Sequence, residues 1–238
     1  MRNILVLTRR EIASYFVSPI AYVAIGLFLV IAGFCFALID FVPGAPAQMQ
    51  SIFTVMMIIL IFVLPILTMR SLAEEFHSGT IETLMTAPVT DAEVVVGKFL
   101  GCWVVYLMML APTLLYVALL AAFGDPDYGP IASGYLGLAL LGALYIAVGI
   151  FASSMTESQV IAAVVAFVLL AVLGLFAPWI AAAVPGVWRR LIQQAAVRTH
   201  YTDFSQGVVD LVHIIYFVAL TLYALFLAVK LVESRRWR

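Results

Sequence analysis

Charged residues are scarce in this sequence, and cysteines are scarcer still. Only 11% of its 238 residues are Asp, Glu, Lys or Arg, whereas 65% are hydrophobic. Soluble domains carry about 25% charged residues and about 45–50% apolar residues. A water-soluble fold of this size could not bury so much apolar surface. The two cysteines, Cys35 and Cys102, lie singly in hydrophobic runs, which excludes a disulfide framework. This composition predicts a protein whose solvent is mainly lipid.

Motifs for catalysis and nucleotide binding are also missing. The sequence has no Gly-x-Ser-x-Gly, no His-Glu-x-x-His and no Gly-x-x-x-x-Gly-Lys-Ser/Thr phosphate loop. Without this phosphate loop, the chain cannot bind ATP as phosphate-loop proteins do. A net charge of −1 gives no basic field of the kind that nucleic-acid-binding proteins use. We therefore predict neither an enzyme nor a nucleic-acid partner.

Ionisable side chains are nearly absent from the middle of the hydrophobic runs. Asp40, Asp210 and His213 lie close to the ends of their runs. Ion- or proton-driven transporters place such groups inside the membrane. If this protein moves a substrate, we expect the energy to come from a partner.

Two acid–histidine pairs have a spacing that is also found in carboxylate metal sites. Glu74 and His77 are three residues apart, as are His200 and Asp203. Such isolated pairs are far more often solvated helix faces, and the three histidines are too dispersed along the chain to form one site. We predict no metal or cofactor in this chain.

Six hydrophobic runs are long enough, or nearly so, to cross a membrane. A helix needs about 20 apolar residues to span ~30 Å of hydrocarbon. The sequence therefore predicts an all-α integral membrane protein with six transmembrane helices in a single domain. The predicted spans are residues 20–39, 51–68, 99–123, 131–151, 160–184 and 208–229.

Two segments outside the spans have helical patterns of their own. Residues 1–18 alternate polar and apolar positions, with Arg9, Arg10 and Glu11 opposite the apolar face, which predicts an amphipathic helix at the membrane surface. The alternative is the first turns of a long first span. Residues 185–207 combine aromatic and basic residues, which favours local helix at the headgroup level over a simple loop. In the fourth span, Gly134, Gly142 and Gly149 indicate either a close helix contact or ordinary glycine tolerance.

The distribution of basic residues predicts the orientation of the spans. With six spans, both termini lie on the same side, together with residues 70–98. That side carries nine basic residues and the other side carries three, Arg189, Arg190 and Arg198. Because basic loops face the cytoplasm, we predict that both termini and residues 70–98 are cytoplasmic, and that residues 185–207 are outside.

Residues 70–98 form the one long polar interlude in the first half of the chain. Apolar residues recur at helical spacing, Gly79 allows a turn, and Thr90 or Asp91 can restart a helix. This pattern predicts a coupling segment that docks to a soluble partner; the alternative is a tethered surface loop. The predicted docking residues are Glu74, Glu75, Phe76, Gly79, Thr80, Glu82, Leu84 and Pro88.

The same segment resembles the cytoplasmic signature of ABC-2 type permeases. The residues that carry the resemblance are Glu74-Glu75-x-x-x-Gly79-Thr80-Ile81-Glu82-Thr83-Leu84-x-Thr86-Ala87-Pro88-Val89, followed by Gly97-Lys98. The resemblance implies a separate ABC ATP-binding subunit that binds ATP and Mg²⁺ and accepts a coupling helix around Glu74–Leu84. It also implies a second permease, identical or homologous, and a bacterial inner membrane.

Within that family, the chain is most similar to the gliding-motility type. The stretch Thr199-His200-Tyr201-Thr202-Asp203-Phe204-Ser205-Gln206-Gly207-Val208-Val209-Asp210 carries this similarity, with Ile215-Tyr216-Phe217 and Arg235-Arg236-Trp237. A nitrous-oxide-maturation type permease is a similar relative. Unlike larger relatives, the chain has no big soluble domain.

Two functional hypotheses follow. The first is the permease subunit of an ATP-driven exporter. The second is a non-transporting scaffold or mechanotransmitter that docks the same ATPase and signals to an outer-side accessory protein.

Overall fold

The computed structural model describes residues 2–40, 48–79 and 90–235, and all regular secondary structure in these ranges is helical. The helices Asp91–Leu110 and Leu114–Phe123 are joined by the 3₁₀ turn Ala111–Thr113, and the helices Gln159–Ala171 and Ala177–Ala183 by the π-helical turn Val172–Phe176. The helices are α1 (Arg2–Val17), α2 (Pro19–Ile39), α3 (Gln50–Thr68), α4 (Ala73–His77), α5 (Asp91–Leu110), α6 (Leu114–Phe123), α7 (Tyr128–Met155), α8 (Gln159–Ala171), α9 (Ala177–Ala183), α10 (Val187–Ala195), α11 (Val197–Ser205) and α12 (Leu211–Arg235).

Six helical segments of the described chain are long and apolar enough to cross a membrane. They are Pro19–Ile39, Gln50–His77, Asp91–Phe123, Tyr128–Met155, Gln159–Ala183 and Leu211–Arg235. The predicted class, an all-α membrane protein with six spans, is confirmed. The position of α1 at a membrane surface stays a prediction, as does a coupling helix in residues 70–98.

The third span is longer than a bilayer requires. Its 33 residues would measure ~50 Å as a continuous helix, against ~30 Å of hydrocarbon. The helix begins at Asp91, and the Thr90 side chain caps it by accepting a hydrogen bond from the Glu93 amide, while the Glu93 carboxylate accepts one from the Thr90 amide. The first turns of α5 therefore extend the span into the polar segment 70–98.

Helix α7 lies at the centre of the bundle. It packs against α3, α5, α8, α11 and α12, and most of its length is buried. Its glycines make these contacts possible: a Cβ at Gly142 would collide with the ring of Tyr106, and one at Gly149 would collide with Thr68. The structure thus favours close helix contact over ordinary glycine tolerance.

The two ends of α7 organise opposite ends of the molecule. Near its start, the Ser133 hydroxyl donates to the Phe204 carbonyl of α11 at 2.7 Å. Near its end, the Ser153 hydroxyl contacts the turn that precedes α4. Twenty helical residues separate these serines by ~30 Å, so α11 and α4 lie at opposite ends of the bundle.

Candidate functional site

The N-terminal helix lies directly against the first turns of α5. Gly97 and Gly101 make this approach possible, because a Cβ at either position would press on α1, at Leu7 and Glu11 respectively. The Thr8 hydroxyl donates to the Gly97 carbonyl at 3.3 Å. Helix α1 is therefore packed along the extension of the third span into segment 70–98, with Leu5 and Phe16 left exposed on its other side.

A buried ammonium joins three helices at this end of the bundle. Lys98 Nζ lies 2.9 Å from Glu75 Oε1 of α4 and 3.3 Å from Glu11 Oε2 of α1. The Lys98 side chain is only 8% exposed. We call Glu11, Glu75 and Lys98 the Lys98 cluster. It has two carboxylates for one ammonium, so its charge is −1 when all three groups are ionised.

Glu11 differs from the position that the helical pattern suggested. The pattern placed it on the solvent side of α1 with Arg9 and Arg10, whereas the structure turns it inward towards Lys98. Burial raises the pKa of Glu11 above its ordinary value, and Lys98 partly opposes this shift by favouring the carboxylate. Lys98 thus favours the ionised form of Glu11 at a position where burial disfavours it.

A second ion pair holds the turn between α3 and α4. The Arg70 guanidinium donates to both carboxylate oxygens of Glu74, at 2.8 and 2.9 Å, and to the Ser18 hydroxyl at 2.8 Å. Ser18 lies between α1 and α2, so this arginine connects the polar segment to the start of the first span. Together, the two ion pairs line a polar cleft of about 210 Å³.

The turn before α4 is also fixed from the centre of the bundle. The Ser153 hydroxyl of α7 accepts hydrogen bonds from the Leu72 and Ala73 amides at 3.0 and 2.9 Å, and donates to the Met69 carbonyl at 3.1 Å. These are backbone groups at a helix start, which otherwise have no intrahelical partner. A single hydroxyl therefore anchors α4 to α7.

The last helix contacts α4 from the remaining side. The Arg235 guanidinium lies 4.4 Å from the centre of the Phe76 ring, a distance suited to a cation–π contact. The same arginine donates to Glu157 and to the Met155 carbonyl, at the turn between α7 and α8. Helix α4 is thus held by α1, α5, α7 and α12.

The predicted docking residues fall into three groups. Glu74, Glu75 and Phe76 lie on α4, and each makes a contact within the chain. Gly79 follows α4, is exposed, and has φ +70°, the left-handed conformation that glycine adopts at little cost. The others, Thr80, Glu82, Leu84 and Pro88, lie outside the described residues.

Sequence reasoning missed Glu11, Ser153 and Arg235 as parts of this site. A signal was available for the first of these, because Gly97 and Gly101 have the four-residue spacing that permits close helix approach. Ser153 and Arg235 carry no such local signal. Their roles depend on helices that are distant in the sequence.

In the described part of the chain, no three His, Cys, Asp or Glu side chains are arranged so that they could hold one metal ion. Glu74 is paired with Arg70 instead of His77. His200 and Asp203 do meet a third side chain, His213, at the opposite end of the bundle.

The comparison with known protein families agrees with this architecture. The family described as ABC-2 family transporter protein matches residues 41–231. No curated protein matches the chain. The family match begins after α2 and includes five of the six spans, α4, and all of segment 70–98. The chain therefore belongs to the ABC-2 transporter family, as a multi-pass membrane permease subunit whose family partner is an ABC ATP-binding subunit.

Proposed function

We propose that this permease receives the motion of its ATP-binding subunit through segment 70–98 and uses it to export a substrate across the inner membrane. The observation that carries this proposal is the Lys98 cluster. A coupling element must be fixed to the spans that it moves, and Lys98 joins α4 to α1 and to the third span through contacts of 2.9 and 3.3 Å.

The attachment of α4 also explains how a local push would reach the whole bundle. The Arg70–Glu74 pair connects α4 to the start of the first span. Ser153 connects α4 to the central helix α7, and Arg235 connects it to the last helix, α12. Well-packed elements move as units rather than deforming continuously. A shift of α4 would therefore be shared among helices on both sides of the protomer.

Docking to the ATPase is assigned to the exposed side of this segment. Glu74 and Glu75 are engaged by Arg70 and Lys98, so reversing their charge would disrupt internal ion pairs as well as any docking. His77 and Gly79 are exposed and provide a cleaner probe. We include Thr80, Glu82, Leu84 and Pro88 in the proposed docking surface on the basis of the sequence.

The finer assignments have the sequence as their support. Cytoplasmic termini follow from the excess of basic residues on that side. Pairing with a second permease, identical or homologous, and membership of the gliding-motility type follow from the resemblance of residues 70–98 and 199–217. Hydrolysis of ATP is assigned to the partner, since the chain has no phosphate loop of its own.

Site-specific cross-linking tests the docking surface. In a background with Cys35 and Cys102 replaced by alanine, His77→Cys should cross-link to the copurified ATP-binding subunit through a short bismaleimide. Gln206→Cys is the matched control, because it is also exposed but lies at the α11 end of the bundle. Cross-linking at position 206, or its absence at 77 in an intact complex, would refute docking at this end.

A second measurement separates coupling from docking. Lys98→Met should leave the ATP-binding subunit bound but reduce the ATPase rate of the complex. Lys230→Met is the control, since Lys230 forms an exposed pair with Glu233 on the same helical bundle. An unchanged ATPase rate in Lys98→Met would remove the Lys98 cluster from the coupling route.

A further inference from the structure

Two histidines and an aspartate form a hydrogen-bonded chain at the α11 end of the bundle. His200 and Asp203 are one turn apart on α11, and His213 is in the first turn of α12. His200 Nδ1 and His213 Nδ1 are 2.7 Å apart, and His213 Nε2 lies 2.8 Å from Asp203 Oδ2. His200 Nε2 lies 2.8 Å from the Gln194 carbonyl oxygen at the end of α10.

The three contacts made by these side chains need one hydrogen more than two neutral histidines provide. The Gln194 carbonyl can only accept, so His200 Nε2 must carry a hydrogen. The contact between the two Nδ1 atoms and the contact with the carboxylate each need one more. Three hydrogens are required, whereas two neutral imidazoles and an ionised carboxylate contain two. With only two hydrogens, one of the last two contacts would bring two lone pairs face to face, and these would repel each other.

We propose that His200, His213 and Asp203 bind one additional proton between them, and that this proton closes a pH-sensitive clasp between α11 and α12. In the closed form, His213 is an imidazolium that donates from Nδ1 to His200 and from Nε2 to Asp203. The closed form has no net charge. Loss of the proton leaves a charge of −1 and one contact without a hydrogen.

The surroundings leave this proton without a competing charge from the bundle core. Helices α3 and α7 and the turn Val172–Phe176, which pack against α11, contain no Asp, Glu, Lys, Arg or His, and the charged residues of α5 lie at its opposite end. The Tyr216 ring stacks on His200 at 3.9 Å. The other charged groups at this end of the bundle are Asp210, which caps α12, Arg198 on α11, Arg189 and Arg190 on α10, Asp125 and Asp127 before α7, and Asp40, which accepts a hydrogen bond from the Ile52 amide of α3; the tyrosines of the packed helices are Tyr106, Tyr128, Tyr135, Tyr145 and Tyr201.

The clasp connects α11, which is packed into the bundle, to α12 and α10. Tyr201 and Phe204 of α11 are buried, and Phe204 packs against Gly137 of α7. His213 and Gln194 are the points where α12 and α10 attach to it. The closed form binds more protons than the open form, so by linkage it is favoured at low pH and lost as the pH rises.

Nitrogen NMR of the histidine rings tests the proton directly. With ¹⁵N-histidine incorporated into the full chain in lipid nanodiscs, we expect one doubly protonated ring, one neutral ring, and a coupling between two Nδ1 atoms at pH 6. The doubly protonated ring and the coupling should be lost together as the pH is raised to 9, which leaves two neutral rings. His77→Gln removes the third histidine and should leave the pair unchanged.

Two results would overturn the proposal. One is a pair of rings that titrate separately, with no nitrogen–nitrogen coupling at any pH. The other is a spectrum that changes with EDTA and returns with Zn²⁺, which would indicate a metal site.

The Asp203→Asn variant tests whether the third hydrogen is what closes the clasp. An asparagine amide can donate to His213 Nε2, so this variant supplies the third hydrogen without an extra proton. In the wild-type chain, amide exchange in residues 197–213, corrected for its intrinsic pH dependence, should rise about tenfold between pH 6 and 9, as expected for loss of a charge-assisted hydrogen bond. In Asp203→Asn the exchange should stay flat. Equal pH dependence in both proteins would contradict the clasp.

Discussion

Lys98 shows how a single buried charge determines the local structure at the polar end of this permease. Its ammonium is shared by Glu11 of α1 and Glu75 of α4. A buried pair adds little net stability when its desolvation is counted, yet removing one member leaves an uncompensated charge. The Lys98 cluster therefore specifies how α1 and α4 are placed more than it stabilises the fold.

Replacing Lys98 with methionine should lower the free energy of unfolding by about 3–5 kcal/mol, because two buried carboxylates lose their counterion. Lys230→Met should change it by at most about 1 kcal/mol, since the Lys230–Glu233 pair is exposed to solvent. The check is the midpoint of thermal unfolding in detergent. Adding Glu11→Gln and Glu75→Gln to Lys98→Met should recover part of the loss. A similar loss at both lysines would show that burial is not the cause.

The helices of this bundle make different close contacts because their glycines lie at different positions. Helix α7 uses glycines to bring α3, α5 and α11 close, whereas α5 uses Gly97 and Gly101 to accept α1. Helix α2 has two glycines, and of these Gly26 faces open space and makes no such contact. Glycine frequency alone cannot distinguish these cases, since only the neighbouring helix shows whether a Cβ would fit.

Gly142→Ala should destabilise the bundle by about 1–3 kcal/mol, since the added methyl group overpacks against the buried Tyr106 ring. The Tyr106 hydroxyl donates to the Leu138 carbonyl at 2.7 Å, so the ring cannot move away without losing that bond. Gly26→Ala is the matched control and should be neutral. Thermal unfolding of the two variants, followed by size-exclusion of the detergent-solubilised protein, provides the comparison. Equal midpoints would show that α7 tolerates the extra volume.

The whole molecule has two polar ends separated by an apolar bundle. The α4 end contains the Lys98 cluster, the Arg70–Glu74 pair and the contacts of Arg235. The α11 end contains His200, His213 and Asp203. Helix α7 runs from one end to the other and touches both through Ser133 and Ser153. The positive-inside rule predicts that the α4 end faces the cytoplasm.

Cysteine labelling tests this orientation. In the background without native cysteines, Gln206→Cys should react with a membrane-impermeant maleimide added to cells whose cytoplasmic membrane is intact. His77→Cys should react only after the membrane is permeabilised. Both positions are exposed in the structure, so a difference in labelling reports sidedness rather than burial. The opposite pattern would invert the protein and remove segment 70–98 from contact with a cytoplasmic ATPase.

The sequence by itself determined the fold class, because a lipid solvent requires long apolar helices and these are visible as uninterrupted runs. It also predicted the restart of the helix at Thr90 and Asp91, since capping is a local interaction. Tertiary structure decided which charges meet. Glu11 and Lys98 are 87 residues apart in the chain, and Arg235 reaches Phe76 from the last helix. Such pairs depend on the packing angles of whole helices, which no local pattern encodes, and for that reason the Lys98 cluster and the histidine clasp emerged only from the folded chain.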